Sequence, residues 1–199
     1  MQIEYPHSYV VYDLETSGLD PKTDKITEVA YIEVHNGKVV EEWSTLVQWP
    51  ELKLSPKITE ITGITDEMLE NEGEAWRVAI DKLAMKIALA PAVVTHNGTM
   101  FDNLFMREVL PNRMGMLKSL DTNSIDTAAL YKGAKLGNMR LWNETQEKYN
   151  SRILAERVQG LKYNLAYCCD DLGIDKTKVV QHRALGDCTL TMELYKKLI

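Results

Sequence analysis

The sequence predicts an α/β domain built on a mixed sheet. Three extended apolar segments come first, an Asn-Gly pair joins the second to the third, and helical periodicities then alternate with short apolar runs. Residues 9–15 read as a strand apolar on both faces until Asp13 and Glu15, which marks it as central. Residues 26–34 form a second strand, and His35-Asn36-Gly37-Lys38 is a hairpin turn. Residues 39–49 return with Val39, Trp43, Val47 and Trp49 on one face, completing an antiparallel meander.

A helix is predicted over 73–89, where Trp76, Ile80, Leu83 and Ile87 keep helical spacing, and it stops before Pro91. Residues 92–95 are a short buried strand, followed by a helix from about 99 to 110 that ends at Pro111. Residues 124–126 are a last short strand leading into Ala128-Ala129-Leu130-Tyr131. Met139, Trp142, Gln146, Tyr149 and Ile153 predict an amphipathic helix within 132–163. Leu161, Leu165, Cys168 and Leu172 form a further helical stripe stopped by Gly173, and a final helix covers 184–198.

The 199 residues suit one domain over 1–199 with a substantial core. A formal net charge of −6 argues against a surface that grips nucleic acid everywhere, while leaving room for a local basic track. Three cysteines make no disulfide framework. There is no signal-peptide pattern near Met1 and no membrane-spanning apolar run, so a reducing cytoplasm is the expected location, and no long tail after Ile199 is seen that would tether a partner.

Carboxylates occupy positions where apolar residues belong. Asp13 and Glu15, at i and i+2 of a strand, project from one face. Asp102 begins a stripe continued by Phe105, Met106 and Val109, and Asp187 begins one continued by Leu190, Thr191, Leu194 and Leu198. A helix-start acid favoured by the dipole would explain Asp102, and a salt bridge to Arg183 would explain Asp187. Convergence of all four would instead create an oxygen-ligand site for Mg²⁺ or Mn²⁺. Two such ions about 3.5–4 Å apart are the usual apparatus for in-line attack on a phosphodiester. Neither a zinc-type Cys/His spacing nor a glycine-rich phosphate loop is present.

DLETSGLDP, HNGTMFD and HRALGD, in that order, resemble the three motifs of the DEDDh (DnaQ-like) 3′→5′ exonucleases. The resemblance runs from Tyr9 to Leu198 and includes LSPKITEITGIT. It implies an RNase H-like fold, a mixed five-stranded sheet with an antiparallel meander and then parallel strands, flanked by helices. It further implies two Mg²⁺ or Mn²⁺ ions per active site, ligated by Asp13, Glu15, Asp102 and Asp187, with His182 as general base. Five helical steps rotate the chain about 500°, so His182 is not stacked over Asp187 as a co-ligand and suits the loop entering the helix. An imidazole, with a reference pKa of about 6.5, can take a proton from metal-bound water at neutral pH.

In the mechanism so implied, hydroxide attacks the terminal phosphodiester and a 5′-mononucleotide leaves from a single-stranded or frayed 3′ end of DNA or RNA. Proofreading beside a polymerase partner and 3′-end trimming are the corresponding roles. The same resemblance places Thr16, Leu19, Ile64, His96, Asn97 and Phe101 around the terminal nucleotide. Core packing is the alternative for Leu19 and Phe101, and a helix cap for Asn97. Glu28 and Asp126 read as supporting acids outside direct metal contact.

Segment 132–163 departs from the family pattern as a helical insertion or extended connection. It carries Lys132, Lys135, Arg140, Lys148, Arg152, Arg157 and Lys162 against Glu144, Glu147 and Glu156. A phosphate track through Arg140, Lys148 and Arg152 and a merely solvated helix are the two readings. A catalytically silent nucleic-acid-binding or scaffold module is the competing function. Retention of all four acids and His182 argues against it. DNA against RNA preference and oligomeric state stay open.

Overall fold

Asn36 and Gly37 both adopt left-handed backbone, with φ of 49° and 76°, and turn strand β2 (Ile26–His35) back into β3 (Lys38–Gln48). This is a computed structural model, which describes residues 5–180 and 182–199, with the side chains of 112–114 outside the description. β2 pairs antiparallel with both β3 and β1 (Tyr9–Thr16). β5 (Val93–Thr95) lies parallel to β1, and β6 (Ser124–Asp126) parallel to β5.

The five predicted strands are joined by a sixth, β4 (Glu74–Ala75), parallel to the end of β3, and the sheet order is β4-β3-β2-β1-β5-β6. The helix predicted from 73 therefore begins later, as α3 (Trp76–Leu89). Gly73 explains the delay. A Cβ there would lie 2.5 Å from the Leu69 carbonyl oxygen and 3.1 Å from the Gln48 nitrogen, so the chain passes hard against β3 before turning.

β1 is buried on both faces, as its sequence predicts. Its odd residues Tyr9 and Val11 share a core with Ala30, Ile32, α6 (Thr127–Leu136), α7 (Gln146–Ala155) and α9 (Ala184–Leu198). Its even residues Val10, Tyr12 and Leu14 pack with α3, α4 (Asp102–Val109) and Leu120 of α5 (Lys118–Thr122). Between β3 and β4 lie two seven-residue helices, α1 (Pro56–Thr62) and α2 (Asp66–Glu72). Ser55 and Thr65 cap them, and Gly63 ends α1 at φ 71°.

The predicted helix through Met139 and Trp142 is corrected. Gly137 ends α6 in left-handed backbone, and α7 starts only after Thr145, whose hydroxyl accepts the Lys148 N–H. Trp142 is left 94% exposed, whereas Gln146, Tyr149 and Ile153 form the buried face. Likewise α8 (Leu165–Asp171) is capped by Asn164, so Leu161 lies outside the helix it was assigned to. Among the described residues, no helix is long and apolar enough to cross a membrane.

Candidate active site

The odd-residue face of β1 carries Asp13 and Glu15 beyond the last apolar positions, opposite the first turn of α9, where Asp187 projects. One carboxylate oxygen from each of these three lies within 4.8 Å of the others. Asp102, the first residue of α4, is 4% exposed, and its Oδ1 accepts the Leu14 N–H at 3.1 Å. That N–H faces the side on which β5 has already ended at Thr95, so Asp102 takes the place of a strand partner. All four predicted acids are thus gathered, with Asp102 braced against the backbone between Asp13 and Glu15.

The electrostatics are those of crowded, buried carboxylates. Burial pushes the Asp13 carboxyl well above the usual carboxylate range, and the charges of Asp102, Asp187, Glu15 and Glu28 push it further. Glu15 is pushed up to about 8 by burial and then by Asp187, Glu28 and Asp102, with Arg183 partly opposing. Burial raises Asp102 to about 7, against the pull of its backbone N–H bonds. Asp187 is raised by burial and held back by the imidazole and backbone of His182. A cluster of carboxylate oxygens with raised pKa values fits a hard divalent cation such as Mg²⁺ or Mn²⁺.

Arg183, the sequence-level candidate for neutralising Asp187, is engaged elsewhere. Its Nη2 and Nε donate to Glu28 Oε1 and Oε2 at 2.8 and 3.0 Å, and the Ala184 N–H donates to Glu28 Oε2 at 3.1 Å. Glu28 sits directly across from Glu15 in the β1–β2 register, so this fork partly offsets a negative charge beside the cluster. It also fixes the start of α9, and with it Asp187. Arg183→Met should therefore destabilise the fold by on the order of 2 kcal/mol, because buried Glu28 loses its partner, reduced somewhat by the partial exposure of Arg183. Glu28→Gln should cost less, since the amide oxygen still accepts the Ala184 N–H. Urea denaturation ranks the two, and the reverse order would contradict the clamp.

His182 is exposed, in left-handed backbone with φ of 57°, on the loop entering α9. The loop runs close over the helix: a Cβ on Gly186 would lie 2.1 Å from the Val180 carbonyl oxygen. Glycine at 186 is what allows the approach.

The residues predicted around the nucleotide separate into groups. Leu19 is 83% exposed, which removes the core alternative for it. Thr16 is buried, and its hydroxyl donates to the Gly18 carbonyl oxygen at 2.6 Å, closing the turn that carries Leu19. Phe101 is half-buried against Phe105, with ring centroids 5.0 Å apart. Asn97 has φ of 62°, and its N–H donates to Asp126 Oδ1 at 2.8 Å. Buried Asp126 also accepts from Thr99 and Ala128, so it ties the turn after β5 to the cap of α6. Ile64 is not brought to the site surface: it is fully buried with Leu46 and Leu69.

His96 links β5 to the chain after α7. Its Nε2 donates to the Tyr163 carbonyl oxygen at 2.9 Å, and its Nδ1 lies 2.9 Å from Thr127 Oγ1. Burial holds its pKa down, and the Thr127 hydroxyl in turn donates to the Thr95 carbonyl oxygen at 3.1 Å. That link closes a cleft of about 470 Å³, with Asp13, Asp187, His96 and Asn97 on one side and residues 161–165 on the other. Sequence reasoning missed the second wall. Its one legible signal is Asn164, whose side chain accepts the Tyr167 N–H at 3.0 Å as a helix cap.

The basic residues of 132–163 are partly neutralised. Arg152 Nε donates to Glu144 at 2.7 Å, Lys135 pairs with Asp171, and buried Lys132 donates to the Leu154 and Glu156 carbonyl oxygens. Of the three residues in the predicted track, Arg152 at least belongs to a neutralised face.

A family model described as an exonuclease, of the RNase T type, matches residues 10–195. The chain belongs to this exonuclease family. The family is one of nuclease hydrolases dependent on divalent metals, which agrees with the carboxylate cluster. The chain is 30% identical over 192 residues to the PolC-type DNA polymerase III of Thermotoga maritima, covering 96% of this chain and 12% of that polymerase. The Clostridium perfringens PolC-type polymerase is likewise 30% identical over 192 residues, and the chain covers 11% of its length. Escherichia coli exonuclease I, solved in complex with a dT13 oligonucleotide, shares the fold with a TM-score of 0.74 at 18% identity, over 96% of this chain and 40% of that one.

Proposed function

We propose that this exonuclease-family domain works in the 3′→5′ direction, releasing 5′-mononucleotides from single-stranded or frayed 3′ ends of DNA or RNA. The observation that carries the reading is a buried cluster of carboxylates from which the adjacent Arg183 is held aside by its fork to Glu28. Two Mg²⁺ or Mn²⁺ ions held by Asp13, Glu15, Asp102 and Asp187 would supply an acidified water and charge neutralisation at the phosphate.

The chain's own groups do the rest. His182, at the exposed edge beside Asp187, accepts the proton of the attacking water on an imidazole nitrogen. Asp102 keeps the Leu14 backbone, and so the spacing of Asp13 and Glu15, fixed. Leu19 and Phe101 offer apolar surface to the terminal nucleotide, which tolerates different bases. Ile64 is left out of this surface.

Residues 1–199 act as one exonuclease domain in this reading, with 132–163 as a helical insertion. The PolC-type relatives favour a polymerase as partner and proofreading as the role, in the cytoplasm. A catalytically silent binding module is disfavoured by retention of the four acids and His182 together.

A time course with 3′- and 5′-labelled DNA and RNA oligomers tests the proposal. The 3′ label should leave first as a mononucleotide, the 5′ label should shorten stepwise, and EDTA should stop both. Release from the 5′ end, internal cuts, or no turnover with Mn²⁺ would overturn it. Comparison of the two sugars reports the treatment of the 2′-OH.

A further inference from the structure

We propose that residues 161–165 form a phosphate-binding wall of the cleft, in which Lys162 takes the phosphodiester on the 5′ side of the terminal nucleotide. The inference rests on the exonuclease reading for which phosphate is bound, and on the cleft itself for the site.

Opposite this wall stand Asp13 and Asp187, two of the acids proposed to hold the divalent cations. Among the described residues that line the cleft, Lys162 is the one cation. It is exposed, and its Nζ lies 5.9 Å from the Tyr167 ring centroid, a contact that leaves the ammonium open to an anion.

The backbone that carries Lys162 is fixed from both sides. The Tyr163 carbonyl oxygen accepts the His96 Nε2–H, which binds the wall to the opposite side of the cleft. The Tyr163 ring faces Lys132 Nζ at 4.9 Å, and Lys132 is itself buried and bonded to the carbonyl oxygens of Leu154 and Glu156. Asn164 then caps α8 immediately after. A lysine on so constrained a segment can hold a phosphate with less ordering cost than one on a free loop. This gives the 132–163 segment a role at its far end: it delivers a cation to a cleft whose other ionic wall is acidic.

The test is fluorescence anisotropy of a 5′-fluorescein oligothymidylate across a salt series, with Ca²⁺ replacing Mg²⁺. Lys162→Gln should weaken binding about five-fold at low salt and reduce the log–log salt slope by about 0.7, the value for one phosphate contact on a single strand. Lys162→Arg should retain both. Lys38→Gln, in the hairpin turn at the opposite end of the sheet, controls for general loss of charge. Because Lys162 is exposed, the variant should fold normally. Affinity and slope unchanged in Lys162→Gln, an equal loss in Lys38→Gln, or no measurable binding by the wild type would overturn the proposal. A wild type that loses affinity through Lys162→Gln yet removes no 3′ nucleotides would sink the exonuclease reading and leave the phosphate site standing.

Discussion

Asp13→Asn is expected to lower 3′-end hydrolysis by about 10³-fold while raising the melting temperature of the metal-free protein by about 2–4 °C. The two effects share one cause. Asp13 lies within the acidic cluster, and burial together with four neighbouring carboxylates opposes its ionisation. Asparagine keeps the shape and removes the charge, relieving repulsion on the order of 1 kcal/mol in a chain of this size. The same change deletes a proposed cation ligand. Paired activity assays and melts in EDTA check both effects, and a less stable variant, or one with full activity, would contradict the reading of the cluster.

The stability of the metal-free protein is expected to fall as pH rises, and divalent cation to reverse that fall. Glu15 and Asp102 are raised to about 8 and about 7, while an unfolded carboxylate titrates near about 4. Between those limits the unfolded chain has lost protons that the folded chain retains. The folded state then binds more protons, so the slope of stability against pH is negative. The contribution of these groups is fully present below about pH 4 and gone above about pH 8. Cation binding needs the deprotonated acids, so the rise in melting temperature on adding Mn²⁺ should be small at about pH 5 and several degrees at about pH 8. Melts across that range with EDTA or Mn²⁺ measure it, and an equal shift at every pH would contradict a carboxylate site.

Much of this architecture was legible in the residues. The strand alternation of β1 identified the central strand, and the limits of β6 and α9 were read as they occur, because burial on a regular period leaves a clear trace. The two seven-residue helices before α3 were not, since two turns are too short to show a period, although Ser55 and Thr65 marked their caps. Trp142 and Met139 matched a helical spacing by coincidence, and Gly137 and Thr145 overrode it with local chain geometry.

At the site, the four acids announced themselves as charges on apolar stripes. The Arg183–Glu28 fork did not, because it joins residues 155 positions apart and an i−4 partner was the nearer candidate. Residues 161–165 were hidden for a similar reason. Their place at the cleft depends on the His96 bond to Tyr163, a contact across 67 positions that carries no periodic signal.

Anomalous diffraction from crystals grown with Mn²⁺ and thymidine 5′-monophosphate would locate the cations directly. Two manganese peaks bounded by Asp13, Glu15, Asp102 and Asp187, with His182 turned toward the nucleotide phosphate, are predicted. No manganese among these four carboxylates, or Arg183 released from Glu28 and seated in their midst, would contradict it.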